Sequence, residues 1–152
     1  MRSSLDCGYS GPRAPEELVK YGPTIWVDIG FDPSWRPGPP ARKPNAAALR
    51  VRALIDTGAE QSFIDCDLAA RLKLSIFDWA EVAGSQGRHE VEVYLAQIFI
   101  QPLQLTQHGQ FAGVHLQRGG MPYQVLIGRT FLEHFTLHYN GRSGQVTLTQ
   151  MH

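Results

Sequence analysis

The most informative segment of this chain is Ala53-Leu54-Ile55-Asp56-Thr57-Gly58-Ala59, in which apolar residues run directly into a carboxylate. Residues 49–55 read as a strand. A carboxylate at the end of such a strand is costly to bury, so it is neutralised, paired or exposed in a cleft. Gly58 allows a sharp turn and a close approach of other atoms. The segment therefore indicates either a functional carboxylate or an ordinary strand-ending Asp-Gly turn.

Two further segments favour the functional interpretation. Residues 125–129 form an apolar triplet followed by glycine and arginine, Val125-Leu126-Ile127-Gly128-Arg129. Between the two motifs, residues 81–100 predict two alternating strands around a Gly-Ser-Gln-Gly turn at 84–87. The chain thus carries, in this order, a carboxylate loop, a glycine-tipped hairpin and a glycine-arginine loop.

In this combination the sequence resembles the retropepsin-like aspartic proteases, the single-lobed relatives of pepsin. That family reads apolar-apolar-Asp-Thr/Ser-Gly-Ala, then a glycine-rich flap hairpin, then apolar-apolar-Gly-Arg before a short helix. The resemblance covers about residues 24–149. It implies a mostly β fold, a closed retropepsin-like barrel with a flap hairpin and one or two short helices. We expect a protease domain over residues 24–152, preceded by an extended or flexible N-terminal arm at 1–23.

The resemblance also implies roles for individual residues. Asp56 matches the catalytic carboxylate, Thr57 the residue whose hydroxyl bonds across a two-fold axis, and Gly58 a residue whose backbone lines the substrate cleft. Glu60 and Arg129 match positions that pair in retroviral members, so we predict a Glu60–Arg129 ion pair that supports the loop. The remaining expected site residues are Ala59 in the catalytic loop and the flap-tip residues Gly84, Ser85, Gln86 and Gly87.

The C-terminal part departs from the retroviral pattern. After the short helix predicted at 130–134, the chain continues into a hairpin, 136–139 and 145–149, around Asn140-Gly141. This continuation disfavours a dimer with interlaced ends of the retroviral kind.

The chemistry that the resemblance implies needs two carboxylates facing one water molecule. Held about 3 Å apart, they cannot both ionise easily and share a proton, so one acts as base on the water while the other assists the scissile carbonyl. Asp-Thr/Ser-Gly occurs once in the chain, which implies a C2 homodimer with one Asp56 from each subunit. The expected function is an aspartic endopeptidase acting on extended peptides. The alternatives are a non-catalytic peptide-binding or assembly module of the same fold, and a domain cut from a larger polyprotein.

The remaining sequence predicts the other elements of the domain. A strand is expected at Thr24–Gly30, followed by a proline-rich loop at 31–48. The pattern of residues 65–72 predicts a short helix with Asp65 as its N-cap. Further strands are expected at 101–106, 111–116 and 124–127.

The composition of the chain argues against several classes of protein. Its 152 residues carry 14 basic and 14 acidic side chains, which argues against nucleic-acid binding through a basic face. No apolar run approaches the roughly 18 residues of a membrane span, and residues 1–21 lack the apolar core of a signal peptide. We therefore expect a cytoplasmic protein with reduced Cys7 and Cys66. His134 and His138 have i, i+4 spacing, but they straddle the predicted helix end and strand start, so we expect no metal and no other cofactor.

Overall fold

The alternating segments of the sequence form strand pairs that close into a barrel. The computed structural model describes residues 2–40, 42–84 and 87–151. The strands are β1 (Arg2–Asp6), β2 (Thr24–Gly30), β3 (Ala48–Ile55), β4 (Ser62–Asp65), β5 (Ile76–Gly84), β6 (Gly87–Ile100), β7 (Leu105–Val114), β8 (Val125–Ile127), β9 (Phe135–Asn140) and β10 (Gln145–Met151). The helices are α1 (Ala14–Tyr21), α2 (Cys66–Arg71) and α3 (Arg129–Leu132), with a 3₁₀ helix at Gln101–Leu103. Within these described ranges, no helix has the length and apolar character needed to cross a bilayer.

The barrel follows the strand order β2-β3-β8-β4-β7-β6 and closes where β6 returns to β2. The first half of the long β6 forms an antiparallel hairpin with β5, and its second half pairs with both β7 and β2. On β3 the alternate residues Val51, Ala53 and Ile55 are buried in the core, because successive side chains of a strand point to opposite faces. This closed, mostly β architecture confirms the fold class predicted from the sequence.

Parallel strand pairing brings the two distant loop motifs together. β3 runs parallel to β8, with Ile55 opposite Ile127, and β4 lies antiparallel to β8 on its other side. Parallel partners end at the same edge of a sheet. Asp56 and Gly128, the residues that follow these strands, therefore emerge side by side although they are far apart in sequence.

The N-terminal segment is part of the fold, which corrects the extended or flexible arm predicted for residues 1–23. β1 pairs with β10, and β10 with β9, in a three-stranded antiparallel sheet. Helix α1 follows, and Cys7 and Leu18 are buried in the same apolar core as the barrel. A local pattern could not reveal this order, because β1 is fixed by pairing with the opposite end of the chain.

Several local elements also differ from the sequence prediction. Helix α2 and its N-cap are confirmed, since the Asp65 carboxylate accepts a hydrogen bond from the Leu68 amide. β4 was not predicted, because four residues are too few to display a period. The strand expected at 101–106 begins only at Leu105, because residues 101–103, which include Pro102, form the 3₁₀ helix. β7 then runs without interruption to Val114.

The proline-rich connection between β2 and β3 is anchored by one buried carboxylate. Asp32 accepts hydrogen bonds from the Asn45 amide and from both the amide and the hydroxyl of Ser34. These bonds, with that of Asn45 the largest cause, lower the pKa of Asp32 from 3.8 to about 2. The Asp32 backbone also exchanges two hydrogen bonds with the Gln97 side chain on β6, at 2.7 and 3.1 Å. The loop is thereby fastened to the outside of the barrel.

Candidate active site

Asp56 lies directly after β3 with its carboxylate half-exposed. Its amide donates to the Ile127 carbonyl at 2.9 Å, which continues the β3–β8 ladder by one residue. Its Oδ1 accepts the Gly58 amide at 2.9 Å, a tight Asx-type turn. Among the described residues the carboxylate accepts no other hydrogen bond, so most of its lone pairs face outward. Such a carboxylate can accept a proton from water or bind a second polar group.

The carboxylate loop and the glycine-arginine loop are locked together through their backbones. The amides of Arg129 and Thr130 donate to the carbonyls of Ala59 and Glu60, at 2.8 and 3.1 Å. The Gly128 amide donates to the buried hydroxyl of Ser62 at 3.0 Å. A β-carbon on Gly128 would overlap the backbone of Gln61, lying 2.6 Å from its carbonyl carbon. Glycine is therefore required at this crossing for steric reasons.

The predicted Glu60–Arg129 ion pair is wrong. Arg129 instead donates through a terminal guanidinium nitrogen to the Thr57 carbonyl at 2.8 Å. The ion pairs of the described residues do not include Glu60, whose side chain is exposed. An exposed ion pair is only slightly more stable than two separate hydrated charges. The Thr57 carbonyl, in contrast, is a fixed hydrogen-bond acceptor beside the arginine. Arg129 thus supports the loop that carries Asp56, but through Thr57 and not through Glu60.

The hairpin expected to act as the flap is formed by β5 and β6. Gly84 pairs with Gly87 at its end, and Gly87 has a φ of 102°, a conformation that favours glycine. The other two predicted tip residues, Ser85 and Gln86, lie outside the described residues. The structure therefore contains the hairpin, and the contacts of its tip with substrate stay a prediction.

Tyr123 is a neighbour of Asp56 that the sequence did not reveal. Burial raises the pKa of its phenol above the ordinary value, and the negative charge of Asp56 raises it further. Its hydroxyl donates a hydrogen bond to the Met121 sulfur, at 3.4 Å. No local pattern marks this tyrosine, because only the approach of the β7–β8 connection brings it near Asp56.

The connection that carries Tyr123 is held by a second, fully buried carboxylate. Besides capping α2, Asp65 accepts the amides of Leu116 and Gln117 at 2.9 and 3.2 Å. Arg118 adds a bidentate pair with Asp67, both bonds at 2.9 Å. The β7–β8 connection is therefore fixed to helix α2.

No metal site accompanies these groups in the part of the chain that the structure describes, where no three His, Cys, Asp or Glu side chains cluster. Cys7 and Cys66 are free thiols. Burial raises the pKa of both, that of Cys7 to about 12, so neither is an activated nucleophile.

Comparison with known proteins agrees with this geometry. The family model described as "gag-polyprotein putative aspartyl protease" matches residues 46–134, more than half of the chain. The chain therefore belongs to the retropepsin-like aspartic protease family. The sequence comparison with curated proteins found no match.

Two solved structures are similar in fold. A retropepsin-like aspartic protease from Rickettsia conorii matches with a TM-score of 0.56 and 9% identity, over 99% of this chain and 93% of that one. EIAV protease in complex with an inhibitor matches with a TM-score of 0.46 and 19% identity, over 73% of this chain and 85% of that one. At 9% identity, the likeness to the Rickettsia conorii structure supports the fold alone.

Proposed function

We propose that this chain is a homodimeric aspartic endopeptidase in which Asp56 of each subunit forms the catalytic pair. The observation that carries the proposal is the half-exposed Asp56 carboxylate on a loop that the Arg129 and Thr130 amides hold rigidly. A rigid loop with a free carboxylate is what general acid–base catalysis on water requires, because the reacting groups must be placed before the reaction begins.

The reaction follows from two such carboxylates. Placed about 3 Å apart, they share one proton, and the pair titrates as a unit. The ionised member takes a proton from water, whose oxygen attacks the peptide carbonyl carbon, while the protonated member donates to the carbonyl oxygen. The tetrahedral intermediate then loses the amine, with transfer of a proton to the nitrogen and cleavage of the C–N bond. A single chain supplies one Asp56, so the second comes from a second copy.

The proposed substrate is an extended peptide between the Asp56 pair and the β5–β6 hairpins. A hairpin at the edge of a sheet offers main-chain groups that a peptide strand can pair with. Tyr123 and the connection held by Asp65 would form one wall of the same cleft. A cytoplasmic location also stays a prediction from the sequence.

The test is digestion of a mixed peptide library over about pH 4 to 7, the range in which a shared-proton pair works. Wild type and Asp56→Ala are compared at equal concentration, with the oligomeric state measured in parallel. We expect cleavage by the wild type that Asp56→Ala abolishes. Equal background from both proteins, with the wild type dimeric, would contradict the proposal and favour the peptide-binding module.

A further inference from the structure

An apolar groove lies directly beside the catalytic loop. Its walls come from Leu132 on α3, Phe135 and Leu137 on β9, and Leu148 on β10, and its volume is about 330 Å³. Thr57, the residue after Asp56, also lines it. We call this surface the Leu137 groove. Apolar concavities of this kind are unfavourable in water and mark interaction sites.

The terminal strands of the same chain do not cover the Leu137 groove. β1, the strand nearest the N-terminus, is paired along its length with β10, from Arg2–Met151 to Asp6–Thr147. β10 in turn lies between β1 and β9, so both of its edges are occupied within one chain. Among the described residues, the outer edge of β9 has no strand partner. The apolar groove and this free edge therefore remain open in a single subunit.

The chemistry of the site indicates what covers the groove. The argument rests on the proposed function, in which the second Asp56 lies about 3 Å from the first. Thr57 is then close to the two-fold axis, and the surface continuous with it must contact the partner. Thr57 is one of the residues that line the Leu137 groove, so the groove falls inside the contact that the catalytic pair demands.

The charges at the groove fit a two-fold contact. Arg129 and Glu133 both line the groove and are both exposed. Arg129 is fixed by its bond to the Thr57 carbonyl, while the Glu133 carboxylate lies 3.4 Å from the exposed imidazole of His134. An isologous interface needs a surface that complements itself. One positive and one negative side chain on the same rim meet that condition, since each can face its opposite across the axis.

We propose that a second copy of this chain covers the Leu137 groove, with Arg129 of each subunit facing the partner subunit's Glu133 and without exchange of terminal strands. The dimer is then held by apolar packing around Leu137 and by two symmetric charge contacts. β1 and β10 stay paired within each subunit.

The first test measures the oligomeric state of the full chain by sedimentation velocity across a concentration series. Glu133→Arg places like charges opposite each other twice, so we expect the dimer dissociation constant to rise at least about tenfold. Leu137→Lys, which puts a charge into the groove, should give a monomer. Glu16→Arg is the matched control, because Glu16 is an exposed helical glutamate that does not line the groove, and it should stay as dimeric as the wild type. Circular dichroism checks that each variant is folded. If Leu137→Lys does not fold, the dissociation constant of Glu133→Arg alone tests the interface.

Hydrogen exchange on the wild type supplies a second, variant-free measurement. On dilution to monomer, amides of β9 should lose protection while those of β1 and β10 keep theirs. A wild type that is monomeric throughout, a Glu133→Arg dimer as tight as wild type, or loss of β1–β10 protection with dissociation would each overturn the inference. A wild-type dimer that Glu133→Arg weakens but that cleaves no peptide would refute the proposed function and leave this interface standing.

Discussion

Asp56 directly follows β3 and Asp65 ends β4, the two strands that flank β8 in the barrel, and their carboxylates are used in opposite ways. Asp65 is fully buried and accepts three backbone amides, those of Leu68, Leu116 and Gln117. Asp56 is half-exposed and accepts one, from Gly58. A carboxylate that accepts several backbone hydrogen bonds stabilises the fold and has no free lone pairs with which to act on a substrate. A carboxylate with open lone pairs on an equally rigid backbone is available to water and to a second carboxylate.

The largest effect expected from this comparison is on catalysis. Asp56→Asn keeps the oxygen that accepts the Gly58 amide but removes the base, so we expect peptidase activity to fall about 10³-fold. The free energy of unfolding should change by less than about 0.5 kcal/mol, because no buried partner is lost. Rates on a cleaved library peptide and urea unfolding measure the two quantities. A large loss of stability would show that Asp56 is a structural turn residue.

The second effect concerns the crossing of the two loops. Gly128→Ala forces a methyl group into the Gln61 and Ala59 backbones, and we expect a loss of about 3 kcal/mol. Gly141→Ala is the control, since its methyl group would meet only Tyr139, at an ordinary 3.5 Å. Thermal or urea unfolding compares them. If the two variants had equal free energies of unfolding, the two loops would not be held tightly together at Gly128.

Asp65→Asn tests the structural role of Asp65, the buried carboxylate in the comparison with Asp56. The amide side chain has one acceptor oxygen where three backbone amides need partners, so we expect a loss of about 2 kcal/mol. Asp67→Asn, on the same helix, removes only an exposed pair with Arg118 and should cost less than about 1 kcal/mol. If urea unfolding ranks the two variants the other way, the buried amide contacts of Asp65 are not what holds the β7–β8 connection.

The smallest effect is a pH dependence at the proline-rich loop. The pKa of Asp32 is about 2 in the folded chain against an ordinary 3.8. A lowered pKa gives stability that is present above the unfolded value and is lost as the pH falls through the folded one. The melting temperature of the wild type should therefore exceed that of Asp32→Asn near neutral pH, and the gap should narrow below about pH 4. A gap that stays constant down to pH 2 would exclude the Asp32 carboxylate as the anchor.

Much of the site was accessible from the sequence because its signals are local. The apolar run into Asp56-Thr57-Gly58 predicted a strand that ends at the carboxylate, and the Asp65 cap predicted α2; both are confirmed. The partner of Arg129 was predicted wrongly, because sequence positions do not say whether a guanidinium meets a side chain or a nearby carbonyl. Tyr123 was missed because its position beside Asp56 depends on how a whole connection is held.

The sequence by itself determined the loop that carries the carboxylate and the glycine hairpin, since each depends on residue types within a few positions of one another. The barrel class followed from the family that these motifs together resemble. Tertiary structure alone decided that residues 2–6 are a strand, that Gly128 must lack a side chain, and that an apolar groove opens beside Thr57. Each of these depends on contacts between residues far apart in the chain. Such contacts exist only once the barrel has closed and the two ends of the chain have paired.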